Sequence, residues 1–193
     1  LASGRLDPGI SPDSVELFQR VCPSLPLDNI TAIYYNDSGQ CSRRSLESAK
    51  LVKKTMIAQG YLPPQLIGLA DLKEVEFDVE ALLSEDEYRQ FGLPLLRERF
   101  FRALTTGTNT ELFALLYKRV DRIFNELSSV AEAGKPILLI THDFFMWIIE
   151  IYLREKGKEK TEIMIGELNN TNLNGYFQGF SIDKDLDNLA LLI

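Results

Sequence analysis

Residues 136–153 read PILLITHDFFMWIIEIYL: an unbroken apolar run, a polar Thr-His-Asp break, and a second apolar run. The first run is short and does not alternate with polar residues, the pattern of a strand covered on both faces in the middle of a parallel sheet. The second is of helix length and begins where the strand ends. A strand that feeds straight into a helix points to helices packed over a sheet. His142, the only histidine in the chain, stands at that junction.

The rest of the chain repeats the alternation. Ser11-Pro12-Asp13 is a helix start, with Ser11 as cap and Pro12 at the first helical position. That helix carries Val15, Leu17, Phe18 and Val21 and stops before Pro23. ITAIYY, residues 30–35, is β-branched and aromatic and reads as a strand, with NDSGQ as the turn behind it. From Ser42 to Gln59 the period is helical, with Leu46, Ala49, Leu51, Val52 and Met56 inward and Gly60 as terminator. QLIGL, within 61–70, reads as a further strand.

Residues 71–88 hold eight acidic side chains against one lysine and are expected to be mostly exposed. Within them, Ser84 and Glu87 make a capping box for a short helix. LPLLRERFFRALTTG and TNTELFALLYKRVDRIFNELSSVAEAG predict two helices, the second with Leu112, Leu116, Val120, Ile123 and Leu127 on one face. GYFQGFSID and LALLI around DKDLDN suggest a terminal hairpin. Strands alternating with helices imply a single α/β domain over 1–193, a three-layer α/β/α sandwich with a mostly parallel sheet.

Composition narrows the partners. The formal net charge of −7 repels nucleic acid and anionic lipid, so a phosphate-bearing ligand binds only where basic side chains locally reverse the field. Cys22 and Cys41 are too few for a disulfide framework, and with one histidine they make a structural zinc site unexpected. No apolar run approaches the roughly 20 residues of a membrane span. A soluble, cytoplasmic protein is the expectation, with oligomeric state left open. DKDLDN lacks the glycine of a calcium loop, GTNTE lacks the lysine of a phosphate loop, and no Gly-x-Ser-x-Gly elbow occurs.

In open α/β sheets ligands bind beyond the carboxyl ends of the strands, where helix amino-termini offer unpaired N–H groups. His142 occupies such a position. Arg44, in CSRRSLESAKLV, lies near the start of a helix that follows a strand; Arg5 lies in the SGRLDP loop; Glu74 lies directly behind QLIGL. An imidazole, two guanidiniums and a carboxyl suit phosphate chemistry: arginines fork onto phosphoryl oxygens, and an acid protonates the leaving oxygen. Each has a plainer reading. His142 is then a satisfied core histidine, Arg44 a solvated helix charge like Arg43, Glu74 one acid among eight, and Arg5 an organiser of its loop.

Four motifs in order resemble the histidine phosphatase superfamily, the phosphoglycerate-mutase-like fold. ILLITHDFF resembles its second-histidine strand and helix, and CSRRSLESAKLV its Arg-x-x-x-Ser/Thr-Ala helix through Arg44, Ser48 and Ala49. GRLDPGISPDS is similar to its Gly-Arg, Asp-Pro loop through Arg5, Asp7, Pro8 and Ser11, and LKEVEFD to the segment carrying its proton donor, through Glu74. The likeness runs from residue 4 to about residue 150.

The resemblance implies phosphomonoester hydrolysis or phosphotransfer through a phosphohistidine. His142 and Glu74 would be catalytic, Arg5 and Arg44 would bind phosphate, no metal or cofactor would be needed, and 61–108 would be a candidate lid. Two features depart from the family. Its Arg-His-Gly triplet, whose histidine is phosphorylated, is absent, so the acceptor is expected upstream of Leu1; otherwise the domain is an inactive, anion-binding relative. Asp143 stands where the family has a small residue, and opposes an anion unless it points away or pairs with an arginine.

Overall fold

The computed structural model describes residues 9–21, 27–39, 42–130, 136–154, 179–182 and 189–192. Along them run α1 (Pro12–Val21), β1 (Ala32–Tyr35), α2 (Ser42–Ala58), β2 (Gln65–Gly68), a 3₁₀ turn (Ala70–Leu72), α3 (Val79–Leu82) and α4 (Glu85–Thr106). They are followed by α5 (Phe113–Val130), β3 (Ile137–Ile140), α6 (Asp143–Arg154), β4 (Gly179–Ile182) and β5 (Leu189–Leu192). The protein is mixed α/β. Arg5, Asp7, Pro8, Cys22, Cys41 and the DKDLDN segment lie outside the described residues. Among the described residues no helix is long and apolar enough to cross a membrane.

Three strands form a parallel sheet in the order β2-β1-β3, and β4 pairs antiparallel with β5 as the expected hairpin. Ile33 aligns with Leu66 and Leu138, and Tyr34 with Ile67 and Leu139. Because side chains alternate across a strand, this register sorts the apolar residues onto two faces. Ile33 joins Phe18 of α1 and Ala49, Val52 and Met56 of α2, with Leu66 and Leu138 packed against them. Ala32 and Tyr34 join a second cluster built from α4, α5 and α6, with Ile67, Ile137 and Leu139 against it.

The helices end where local chemistry says they should. The Ser14 N–H donates to Ser11 Oγ (3.2 Å) at the start of α1, and Gly60 takes φ +84° beyond α2. At the start of α4 the Ser84–Glu87 capping box forms in full. Gly92, at φ 64° and ψ −152°, then breaks α4 into a short first part and a longer second one, matching the two helices read from the sequence.

Three expectations are corrected. Residues 71–88 are not mostly exposed: Leu72, Val75, Leu82 and Leu83 are buried, because apolar residues recur between the acids and anchor the segment. The later helix does not begin at residue 108. Asn109 takes φ 57° and Thr110 bridges Phe77, so α5 starts at Phe113 and Leu112 is left 54% exposed, while Leu116, Val120, Ile123 and Leu127 are buried as expected. Finally, β3 is not enclosed. Among the described residues it pairs with β1 alone, and all four of its side chains are only half-buried.

Candidate functional site

The parallel register brings Tyr35, Gly68 and Ile140 level, so the residues that follow each strand emerge along one edge of the sheet. His142 follows β3. Its carbonyl accepts the Met146 N–H at 2.8 Å, which makes it the residue that caps α6. Thr141 Oγ1 donates to the Leu72 carbonyl (2.9 Å), fixing the end of β3 to the 3₁₀ turn two residues before Glu74.

Glu74 reaches the same helix start. Its Oε1 accepts the N–H groups of Val75 (2.9 Å) and Phe145 (3.0 Å), so it satisfies a donor in the first turn of α6. Part of the residue keeps solvent contact, but protein crowds the carboxyl group itself, and that crowding governs its ionisation. Burial pushes the Glu74 pKa up to about 7 against the pull of the Val75 N–H; the Asp143 charge adds to the rise, and the Phe145 and Phe144 N–H groups oppose it.

Asp143 is also raised, by burial of its carboxyl, although much of the residue is exposed; the Arg44 charge works the other way. The two carboxyls share this crowded edge, and the Asp143 charge disfavours the ionised form of Glu74. Arg44 itself is exposed on the first turn of α2. Its charge is felt at Asp143, so the two lie near one another on this edge.

Three side chains that sequence reasoning passed over complete the edge. Asn36, fully buried, follows β1; its Nδ2 lies 3.1 Å from His142 Nε2. Ser45, buried on α2, accepts the Asn36 N–H (2.9 Å) and reaches the Ile140 carbonyl at 3.4 Å, joining the ends of β1 and β3. Asp37 folds over the end of β2, where a Cβ on Gly68 would stand 2.1 Å from its Oδ2. The signal for Ser45 was present: Ser45, Ala49, Val52 and Met56 form the buried stripe of α2. Asn36 carries no such signal, since NDSGQ reads only as a turn.

Of the sequence-derived set, Arg44, Glu74 and His142 come together here, and Arg5 lies outside the described residues. The described chain resumes at Gly9 and Ile10, which dock on the Arg44 helix: the Ile10 N–H donates to Glu47 Oε2 at 2.7 Å. Among the described residues no group of three or more His, Cys, Asp or Glu is placed to hold a metal ion. Compared with family models, curated proteins and solved structures, the chain matches none.

Proposed function

We propose that this chain is a histidine-phosphatase-like domain of the phosphoglycerate-mutase-like type, which binds a phosphoryl group at the carboxyl edge of its sheet. One observation carries the reading. His142, the carboxyl of Glu74 and the first turn of the Arg44 helix, far apart in sequence, meet at one edge of three parallel strands. The separate apolar clusters on the two faces of β1 support the three-layer arrangement. The half-exposed apolar strand β3 supports a further parallel strand beside it, where the Arg-His-Gly histidine would sit.

In this reading Arg5 and Arg44 fork onto the phosphoryl oxygens, and His142 donates to one of them as charge builds in the transition state. A second imidazole attacks phosphorus and the P–O ester bond breaks. Glu74, with its pKa pushed up to about 7 and so still partly protonated there, gives its proton to the departing oxygen. The resulting carboxylate then takes a proton from the water that cleaves the phosphohistidine, releasing phosphate. No metal or organic cofactor enters. The substrate is a small phosphorylated molecule or side chain, and 61–108 contributes to its selection.

The count of one histidine favours a second reading for these residues taken alone: they bind the anion without turnover. Assays with p-nitrophenyl phosphate, on this chain and on a form extended upstream through an Arg-His-Gly triplet, separate the two. Hydrolysis and phosphohistidine formation in the extended form only are the expected result. An extended form that does neither leaves the binding module. Absence of any response of the His142 ring protons to inorganic phosphate removes both readings.

A further inference from the structure

The amide of Asn36 is fixed by its surroundings. Its Oδ1 accepts the Ser38 N–H at 2.9 Å, while the backbone N–H of Asn36 donates to Ser45 Oγ at 2.9 Å. With the carbonyl oxygen engaged, the atom presented to the imidazole is Nδ2, a donor with no lone pair to offer. It stands 3.1 Å from Nε2 of His142. A hydrogen bond there has one polarity: Nδ2–H donates and Nε2 accepts. A proton on Nε2 would set donor against donor beside a fully buried amide.

We propose that Asn36 is a positioning residue for His142, holding Nε2 as an acceptor so that Nδ1–H is the donor of the neutral imidazole. A free neutral histidine populates both tautomers; this contact selects one, and the hydrogen bond at one ring nitrogen decides what the other can do. The tautomer stands on the Asn36 contact alone. Its use rests on the phosphate reading, in which Nδ1–H is the hydrogen that meets a phosphoryl oxygen and the locked ring keeps its aim.

The lone histidine makes the test free of assignment. A long-range ¹H–¹⁵N spectrum of the ¹⁵N-histidine-labelled chain, taken at about pH 8.5 and so above the ordinary imidazole range, reads the protonation of each ring nitrogen. In the native protein Nε2 is expected to show the shift of an unprotonated nitrogen and Nδ1 that of a protonated one. Asn36→Asp keeps the shape, replaces the donor with an acceptor, and should bring a proton onto Nε2. Asn36→Ala should give the averaged shifts of a mixture.

A native spectrum with Nε2 protonated overturns the proposal, and so does an Asn36→Asp spectrum unchanged from native. Where the aspartate variant does not fold, the native spectrum decides by itself. Inorganic phosphate added to the same sample tests the site reading separately. Ring shifts that ignore phosphate while Nε2 stays unprotonated reject the phosphate reading and leave the Asn36 assignment standing.

Discussion

Glu74 shows how one side chain can belong to both the fold and the chemistry. Its carboxyl holds the first turn of α6 by accepting the Phe145 N–H, yet it titrates near 7 because protein and the Asp143 charge disfavour its ionised form. A carboxyl whose folded pKa stands above its unfolded value stabilises the fold fully below about 4.5, and that contribution is lost as pH rises through about 7. Glu74→Gln keeps an accepting oxygen but cannot ionise. From pH 4 to pH 8 it should therefore gain stability relative to the native chain, on the order of 3 kcal/mol, read from urea midpoints. An equal pH slope in both proteins would assign the dependence to other groups. Gly68 makes a second residue-level case through space, not charge. Any Cβ there would lie 2.1 Å from Asp37 Oδ2 and 2.9 Å from Asp37 Cβ, too close for the carboxylate tip alone to yield. Gly68→Ala should destabilise by about 1–3 kcal/mol, as overpacking does, and Asp37→Ala in the same chain should restore part of the loss in thermal unfolding.

Elements are most legible where their own ends and faces specify them. The Ser84–Glu87 box, the Pro12 start and the Gly60 stop lie in a few adjacent residues, and each forms as read. Ser84→Ala removes a cap worth about 1 kcal/mol, and denaturant melts should show that loss with the two-state slope unchanged. Glu87 of the same box is held down to about 2, by the Arg99 side chain first and the Ser84 groups next. Its contribution is therefore present above the ordinary carboxylate range and fades as pH falls toward 2, so the gap between the native and Ser84→Ala melts should narrow in strong acid as the Ser84 Oγ–Glu87 carboxylate bond weakens. What was not legible lay between elements. The ILLI pattern of β3 reports what covers the faces of a strand and says nothing of what pairs with its edges; only the missing Arg-His-Gly strand, central to the sheet of the family it resembles, leads one to expect an exposed apolar flank. Serine at the inner stripe of α2 reads as a surface residue until the ends of β1 and β3 that it joins are known. Asn36 meets His142 across 106 positions, a separation at which periodicity carries no information. Glu74 stands out from the other seven acids of 71–88 by its place directly behind the QLIGL strand, and the resemblance adds a role to that place.

At the scale of the molecule, two apolar clusters share a sheet that is three strands wide among the described residues. β1 serves both: Ala32 and Tyr34 point into the helices α4–α6, and Ile33, between them, points into α1 and α2. Neither cluster can lose its support without disturbing the strand the other uses, so the two faces are expected to unfold together. Trp147, the only tryptophan, is buried in the α4–α6 cluster against Phe101 and Phe144, and its fluorescence therefore reports one face alone. Met56 is fully buried in the opposite cluster. Met56→Ala removes side-chain volume from a site that collapses only in part, a loss of about 2–5 kcal/mol. Cooperative unfolding requires the Trp147 midpoint to fall by the same amount as the midpoint from far-ultraviolet circular dichroism. A Trp147 transition that stays put while the dichroism midpoint drops would mean that the faces melt independently. The carboxyl edge, built from α2 on one face and α6 on the other, would then lack the rigidity that the Asn36–His142 contact needs.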